Sequence, residues 1–191
     1  MGKILVFIYD NMADFEITFV THLLGGDLGK EIVTVGYEDN IITSKSGIMY
    51  KPAKTIKDAL KDEVEGLIIP GGWNGEVREE LLELIQSVNT KGNLLGAICA
   101  GPRFLAKAGV LNDVKYTTSI INWTETHVQN FKEEDPFPRQ NFIVDRVVRD
   151  KNVITAQGYA FIDFAVEILD YFDGFEDEED KNNFIKITKG I

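Results

Sequence analysis

Apolar runs alternate with helix-like patterns along most of this chain. Runs rich in apolar residues at positions 4–9, 31–36, 66–69 and 94–98 are typical of strands buried on both faces of a parallel sheet. Between the last two runs, apolar residues recur at the spacing of an amphipathic helix: Val77, Leu81, Leu84, Ile85 and Val88. The alternation predicts an α/β fold, a three-layer sandwich with a mostly parallel sheet.

Shorter patterns predict the connections in the first third of the chain. Residues 10–11 offer a cap for a first amphipathic helix. A period of two over residues 40–51, with a turn at Gly47, predicts a small hairpin. Residues 55–60 are expected to form a short helix.

The second half of the chain continues the alternation. Its apolar runs predict three strands, at residues 115–119, 142–148 and 153–155. Helices are expected over residues 122–131 and 162–172. The acidic residues 173–180 predict a solvated connection, followed by a docked helical turn near Phe184.

Size and charge limit the class of protein. A length of 191 residues with 44% hydrophobic and 27% charged residues predicts one globular domain over residues 1–191, with an acidic extension from about residue 173. The net charge of -11 argues against nucleic acid and anionic membranes as partners. The first apolar run is too short for a signal peptide, and no stretch approaches the roughly 20 apolar residues of a membrane span. We therefore expect a cytoplasmic protein.

The only cysteine of the chain, Cys99, lies where an apolar strand runs into a turn of small residues. Pro102 follows and suits the first position of a helix. This arrangement is typical of a nucleophile elbow, in which a helix N-terminus lowers the thiol pKa and stabilises an oxyanion. The alternative is a buried structural cysteine at a tight junction. A single cysteine excludes an internal disulfide and suits a reducing compartment.

Three predicted strands end in residues that can carry chemistry. Asp14 and Glu16 follow the first strand, Gly71 and Gly72 follow the strand at 66–69, and Cys99 follows the elbow strand. Sites in parallel sheets form at the carboxyl ends of the strands. This convergence indicates one site at that edge.

These stretches, in this order, resemble the motifs of the ThiJ/PfpI superfamily, which includes a DJ-1-like branch. The resemblance implies the class I glutamine amidotransferase-like fold, a flavodoxin-like α/β sandwich. It extends from about the start of the chain to residue 172. Residues 123–140 and the acidic tail depart from the family pattern. The matching motifs are Asp14-Phe15-Glu16, Ile69-Pro70-Gly71-Gly72, Ala97-Ile98-Cys99-Ala100-Gly101-Pro102 and Thr155-Ala156-Gln157-Gly158.

The resemblance implies a role for four residues. Cys99 matches the family nucleophile, Gly72 and Ala100 match the positions whose N–H groups form the oxyanion hole, and Glu16 matches the acid that contacts the sulfur. A thiolate and a carboxylate in contact repel each other, so the two groups should titrate as a coupled pair with the proton on Glu16 when the thiolate forms. Without the resemblance, Glu16 would be interpreted as a solvated helix residue.

The histidine bases of the family are missing. In the proteolytic branch a histidine directly follows the nucleophile, where this chain has Ala100. In the DJ-1-like branch a Thr-Thr-His pattern supplies the base, and Ser119 stands at that position here. A glutaminase requires a His-x-Glu pair, but His127 is followed by Val128 and Gln129.

Other candidates have two interpretations each. His127 either folds over Cys99 as a base or is a solvated or capping residue. Trp73 and Trp123 either wall a small-molecule pocket or belong to the core or an interface. Asp14 either orients a base or caps its helix.

Three further polar residues complete the list of candidates. Arg103 and Arg139 either bind a substrate carboxylate or are ordinary surface charges. His22 lies off the apolar stripe of the first helix and is expected at the surface.

The expected activity is that of a cysteine-dependent hydrolase, amidase-like or protease-like or glyoxalase/deglycase-like, acting on a small carbonyl or amide compound. The alternatives are a redox-sensing stress-response protein that oxidises Cys99 to a sulfinate, and a binding module. No cofactor or metal is expected, because the sequence holds no metal-ligand cluster, phosphate loop or dinucleotide motif. The family resemblance implies a homodimer.

Overall fold

The computed structural model describes residues 2–191. Nine strands are found in this range: β1 (Lys3–Phe7), β2 (Glu31–Gly36), β3 (Ile42–Thr43), β4 (Met49–Tyr50), β5 (Lys54–Thr55), β6 (Val64–Ile69), β7 (Leu94–Ile98), β8 (Val147–Asp150) and β9 (Val153–Ala156). Seven of them form one sheet in the order β5-β2-β1-β6-β7-β9-β8, and β3 pairs with β4 in a separate hairpin. Every neighbouring pair in the large sheet is parallel except β8 with β9.

The helices flank this sheet in two groups. They are α1 (Phe15–His22), α2 (Ile56–Ala59), α3 (Glu79–Thr90), α4 (Pro102–Lys107), α5 (Glu125–Phe131), α6 (Phe161–Tyr171) and α7 (Glu178–Lys189). Helices α1 and α6 pack on each other, with α6 against β7 and β9. Helix α3 packs on β6 and β7 and contacts α2 and α4. The predicted α/β sandwich with a mostly parallel sheet is confirmed.

The central strands are buried on both faces, as their sequences predict. Every side chain of residues 4–8 is at most 1% exposed, so apolar residues are required on both sides of β1. Helix α3 buries its apolar stripe and leaves its other face polar. These buried elements fix the sheet edge at which β1, β6 and β7 end.

Several local predictions are confirmed. The hairpin of β3 and β4 turns at Gly47, whose φ of +88° favours glycine. The Thr55 hydroxyl accepts from the Asp58 N–H and caps the short helix α2. Helix α4 begins at Pro102, and Gly109, with a φ of +77°, follows its end.

Other local predictions were wrong. Residues 10–11 do not cap α1, because the Asp10 carboxylate accepts from the Thr43 N–H at 2.7 Å and α1 begins only at Phe15. Residues 115–119 form no strand, only a single bridge between Tyr116 and Phe142. The backbone N–H groups of this segment donate hydrogen bonds to side chains and loops instead of to a neighbouring strand. For example, the Thr117 N–H donates to the Thr155 hydroxyl at 2.9 Å.

The predictions for residues 142–148 and 173–180 were also partly wrong. The strand predicted at 142–148 is reduced to β8, since residues before Val147 form turns around Asp145. The acidic stretch at 173–180 is not wholly a connection. Asp177 caps α7 by accepting from the Asp180 N–H, and acidic residues suit the first turn of a helix. Within residues 2–191, none of the helices combines the length and the apolar character needed to cross a membrane.

Candidate active site

The backbone at Cys99 holds a strained turn directly after β7. Its φ is +62°, a left-handed conformation that is uncommon for a residue with a side chain. The Cys99 N–H donates to the Ala156 carbonyl at 2.8 Å, and the Gly101 N–H donates to the Ile98 carbonyl at 2.8 Å. A Cβ atom at Gly101 would lie 2.5 Å from the Ile69 carbonyl oxygen, so only glycine allows this close approach. The turn is the predicted elbow.

Two glycines pack directly on the sulfur. A Cβ at Gly71 would lie 2.9 Å from the Cys99 Sγ atom, and one at Gly158 would lie 3.0 Å from it. The same position at Gly158 would also lie 2.9 Å from the Glu16 Oε1 atom. Glycine at both positions therefore leaves room for the thiol and the carboxyl group to meet.

Glu16 is buried under the sulfur, with only 2% of its surface exposed. Its Oε2 atom accepts from the Gly71 N–H at 2.7 Å, and its carboxyl group hydrogen-bonds to Cys99. Burial raises the pKa of Glu16 to about 7, against the opposing effects of the hydrogen bonds from Gly71 and Cys99. The solvated alternative for Glu16 is wrong, and the expected contact with the sulfur is present.

Burial, followed by the negative charge of Glu16, raises the pKa of the Cys99 thiol. The Ser119 hydroxyl and the Ala100 N–H act in the opposite direction. Burial and the charge of Glu16 thus outweigh the lowering of the thiol pKa that the helix terminus was expected to cause. Once Glu16 carries the proton, its charge is removed and its O–H can donate to the sulfur.

Ser119 takes the place at which the DJ-1-like branch has histidine. Its backbone N–H donates to the Cys99 carbonyl at 3.0 Å, and its hydroxyl hydrogen-bonds to the Cys99 sulfur. The Gly158 N–H donates to the same hydroxyl oxygen at 2.9 Å. Because the Ser119 oxygen accepts this hydrogen bond with one lone pair, its hydroxyl proton remains available to donate to the sulfur. Ser119 is therefore a donor to Cys99 and cannot replace a histidine base.

The two proposed oxyanion donors, Gly72 and Ala100, line one cavity with Cys99. Over the part of the chain that the structure describes, no carbonyl group accepts from either N–H, and the Ala100 N–H donates to the Cys99 sulfur. Gly72 is held in place by a bridge to Met12. An oxygen atom above the sulfur can therefore accept from the Gly72 N–H and, in exchange for the sulfur, from the Ala100 N–H.

The cavity has a volume of about 180 Å³. Its walls bring together residues that follow β1, β6 and β7, one residue of the β3–β4 hairpin, and residues of the segment between α4 and β8. The lining residues are Asn11, Ala13, Lys45, Gly72, Trp73, Cys99, Ala100, Ser119, Ile120, His127 and Phe131. Trp73, Ser119 and His127, three of the uncertain candidates, therefore belong to the same cavity as the cysteine.

A stack of rings forms one wall. Trp73 lies parallel to Phe131, with ring centroids 5.9 Å apart, and stacks on His127 at 5.8 Å. Trp123 stacks on the same His127 at 5.4 Å and contacts Phe131. Trp123 does not itself line the cavity, but it supports the wall from behind.

His127 caps its own helix. Its Nδ1 atom accepts from the Thr124 backbone N–H at 3.0 Å, and together they form a capping box at the start of α5. Burial, together with the charge of Arg139, lowers the pKa of His127, so the ring is neutral at neutral pH. The capping interpretation of His127 is thus confirmed, and the ring also lines the cavity.

Arg103 is not a surface charge, since only 1% of it is exposed. Its guanidinium pairs with Glu133, lies 4.3 Å from the Phe131 ring centroid and donates to the Asn74 carbonyl at 3.2 Å. Lys107 pairs with the same Glu133. These contacts fasten the segment around α5 to α4.

The remaining candidates lie outside the chemistry. Arg139 donates to the Ile120 and Ile121 carbonyls and pairs with Asp135, so its guanidinium is occupied within the fold. His22 is exposed in the last turn of α1, as expected.

Asp14 occupies the N-cap position of α1 without a capping hydrogen bond from its side chain. Its carboxylate instead accepts from the Ser46 hydroxyl at 2.6 Å and the Tyr50 hydroxyl at 3.1 Å. Burial acts to raise the pKa of Asp14, but these hydrogen bonds outweigh it and the pKa is lowered. Asp14 fastens the β3–β4 hairpin beside the site and neither caps α1 nor orients a base.

Comparisons with known proteins agree with this geometry. The family model described as the DJ-1/PfpI family matches residues 2–171. The chain belongs to the DJ-1/PfpI family. In Bacillus subtilis, a relative named uncharacterized protease YoaZ is 28% identical over 182 residues, which are 91% of this chain and 84% of the relative.

Two further matches are a relative from Pyrococcus furiosus and a solved structure. The protein named deglycase PfpI of Pyrococcus furiosus is 32% identical over 121 residues, 62% of this chain and 72% of that protein. The crystal structure of the DJ-1 superfamily protein Atu0886 from Agrobacterium tumefaciens has a TM-score of 0.80 and 28% identity, and the match covers 100% of both chains.

Sequence reasoning missed three contributions to the site. Lys45 reaches the cavity from the hairpin, which no local pattern connects to Cys99. The Arg103–Glu133 pair joins positions 30 residues apart, so the residue spacing of a helix could not predict it. Gly158 was recognised only as part of a motif, and its contact with the sulfur follows from the pairing of β9 with β7.

Proposed function

We propose that the protein is a cysteine-dependent hydrolase that acts on a small amide or ester. The observation that carries this proposal is the strained Cys99 turn, which presents the sulfur to a cavity beside the N–H groups of Gly72 and Ala100, with the buried Glu16 carboxyl group in contact with the sulfur from below. Relatives named a protease and a deglycase support hydrolytic chemistry. The volume of about 180 Å³ favours a small substrate over a folded polypeptide.

The first step needs no histidine. In the resting pair the proton lies on the Cys99 sulfur and the negative charge on Glu16, and the proton moves from sulfur to carboxylate as the sulfur attacks the carbonyl carbon. The carbonyl π electrons move to oxygen, and the N–H groups of Gly72 and Ala100 stabilise that oxyanion. A pKa near 7 suits Glu16 to this role, since it can both accept and release a proton at neutral pH.

The leaving group takes its proton from water, because Glu16 does not line the cavity. As the tetrahedral intermediate collapses, the C–N or C–O bond breaks and the departing nitrogen or oxygen takes a proton from a water molecule in the cavity. The hydroxide ion formed in this way attacks the thioester, and the thiolate departs with the electrons of the C–S bond. Proton return from Glu16 to sulfur restores the resting pair.

The test is hydrolysis of a panel of small amides and activated esters by the wild type and by Cys99→Ser. We expect turnover that falls at least roughly a hundredfold in the variant, and a trapped acyl adduct detected as a single mass addition. Since the chain has one cysteine, the adduct needs no assignment. Equal turnover by the two proteins would exclude the hydrolase.

Redox sensing is the second candidate. It is favoured by the donors that surround the sulfur, since the Ser119 hydroxyl, the Ala100 N–H and a protonated Glu16 could hold the oxygens of a sulfinate. The raised thiol pKa argues against rapid oxidation at neutral pH. Mild peroxide followed by mass spectrometry separates the two, because a sensor gains two stable oxygens at oxidant levels that leave an ordinary thiol of the same pKa unchanged.

A further inference from the structure

The cavity above Cys99 differs in charge from the rest of the molecule. The chain has 31 acidic residues and a net charge of -11. Among the residues that line the cavity, none is acidic and one, Lys45, is a cation. Glu16 contacts the sulfur from below and is not part of the lining. A ligand in this cavity therefore meets one cationic side chain and no acidic side chain in the wall, although the protein as a whole is acidic.

Lys45 is held near the sulfur by the hairpin that carries it. Its backbone N–H donates to the Met12 carbonyl at 2.8 Å, and Met12 is bridged to Gly72. In residues 2–191 no carboxylate forms an ion pair with the Lys45 ammonium group. Lys57, Lys91, Lys115, Lys132, Lys151 and Lys186 also form no ion pair in the described residues, but among these lysines Lys45 is the one that lines the cavity, where its ammonium group is available to an anion.

His127 adds a second donor. Since its Nδ1 atom accepts from the Thr124 N–H, the neutral ring must carry its proton on Nε2. No acceptor for that Nε2 proton is present among the described residues. Its neutral ring therefore presents a donor, so a ligand group beside Nε2 must be an acceptor.

We propose that this cavity selects small acyl compounds that carry a carboxylate a few bonds from the reacting carbonyl, such as half-amides of short dicarboxylic acids. The ligand carboxylate pairs with Lys45 and accepts from His127, its methylene groups contact Trp73 and Phe131, and its carbonyl lies over Cys99. This substrate class rests on the proposed hydrolase function, but the binding preference does not require turnover.

Binding can be measured without chemistry in Cys99→Ser. The only two tryptophans of the chain, Trp73 and Trp123, both stack on His127, so their fluorescence reports on the cavity. Succinamate and butanamide are both four-carbon amides. The far end of succinamate is a carboxylate, and the far end of butanamide is a methyl group. We expect succinamate to bind at least about tenfold more tightly than butanamide.

Two lysine variants separate a specific contact from a general charge effect. Lys45→Met in the Cys99→Ser background should remove the preference for succinamate, whereas the matched variant Lys51→Met should keep it, because Lys51 lies outside the cavity and pairs with Asp39. Equal binding of the two amides, or a preference that survives Lys45→Met, overturns the proposal. If the preference holds while wild type hydrolyses nothing, the hydrolase fails and the anion-binding cavity stands.

Discussion

The Nδ1 atom of His127 accepts a hydrogen bond from the backbone N–H of Thr124 at 3.0 Å. This contact decides what the histidine can do, because a ring nitrogen that accepts an N–H cannot also carry a proton. The only histidine in the cavity is therefore fixed as a donor through Nε2, and its lowered pKa keeps it neutral. In the proposed hydrolase His127 is thus not the missing base, and we assign to Glu16 the proton that leaves the Cys99 sulfur.

The tautomer of His127 is directly measurable. We expect the ¹⁵N spectrum of the wild type at neutral pH to show an unprotonated Nδ1 and a protonated Nε2 for His127, with a pKa below that of an ordinary histidine. The exposed His22 serves as the internal reference, as the chain has only two histidines. A proton found on Nδ1 would contradict the capping contact and return His127 to the list of bases.

Alkylation of Cys99 should report the shared proton. In the wild type, ionisation of Glu16 near pH 7 leaves one proton between the two groups, and the form with thiolate and carboxylic acid reacts. We therefore expect the iodoacetamide rate to rise through about pH 7, to level off, and to rise again at alkaline pH. In Glu16→Gln the step near pH 7 should disappear, leaving one inflection.

The alkaline inflection supplies the second half of that test. Because the charge of Glu16 raises the pKa of the thiol, its removal in Glu16→Gln should shift this inflection to lower pH. Ser119→Ala should have the opposite effect, since the Ser119 hydroxyl lowers the thiol pKa. A wild-type step near pH 7 that persists in Glu16→Gln would show that another group is responsible.

The parts of the fold that follow from the sequence are those set by local periodicity. Buried runs such as residues 4–8 must be central strands, and Gly47 and Gly109 must be turns, because few other residues adopt their φ. The strand predicted at 115–119 failed for the opposite reason. Its pattern is that of a strand, but its N–H groups are taken by the Thr155 hydroxyl and the Cys99 carbonyl, which only the folded chain brings near.

The residues of the candidate site also separate into those that the sequence predicted and those that it did not. The contact of Glu16 with Cys99 was expected from the family resemblance, which matches Glu16 to the acid that contacts the sulfur, whereas the residues alone predicted only that both lie at one edge of the sheet. Lys45 and the Arg103–Glu133 pair were not, because their positions depend on how the hairpin and the segment around α5 fold back over the sheet. Such long-range contacts leave no periodic signal in a single sequence.

Stability should depend on the ionisation of Glu16. Burial raises its pKa from 4.5 to about 7, so the folded carboxyl keeps its proton where the unfolded chain has released it. The free energy of unfolding therefore falls as the pH rises from about 4.5 to about 7, by roughly 3 kcal/mol. In Glu16→Gln this loss should be absent, so the variant should exceed the wild type in stability at pH 8 in urea unfolding.

Asp14→Asn provides a comparison of opposite sign. The pKa of Asp14 is lowered on folding. Its carboxylate therefore stabilises the folded protein at pH values above the usual pKa of an aspartate, and this contribution is lost as the pH falls below it. The difference between wild type and Asp14→Asn should therefore shrink only at acid pH. A Glu16→Gln variant that tracks the wild type at every pH would mean that Glu16 is not protonated in the folded protein near pH 7.

The buried Arg103 should be a structural requirement of the aromatic wall. Arg103→Met removes the partner of Glu133 and the cation beside Phe131, and we expect it to lower the free energy of unfolding by about 3 kcal/mol. Hydrogen exchange should rise first in α5, because the pair fastens that segment to α4. Arg149→Met, which breaks an exposed pairing with Asp170, should cost no more than about 1 kcal/mol.

A double variant separates the lost pair from the lost side chain. If an unpaired Glu133 causes the destabilisation, Arg103→Met combined with Glu133→Gln should recover part of it, although Lys107 then loses the same partner. Binding at the cavity provides the functional readout, since a displaced α5 moves both His127 and Phe131. Unchanged exchange in α5, with unchanged fluorescence of Trp73 and Trp123, would show that the wall is held by ring packing alone.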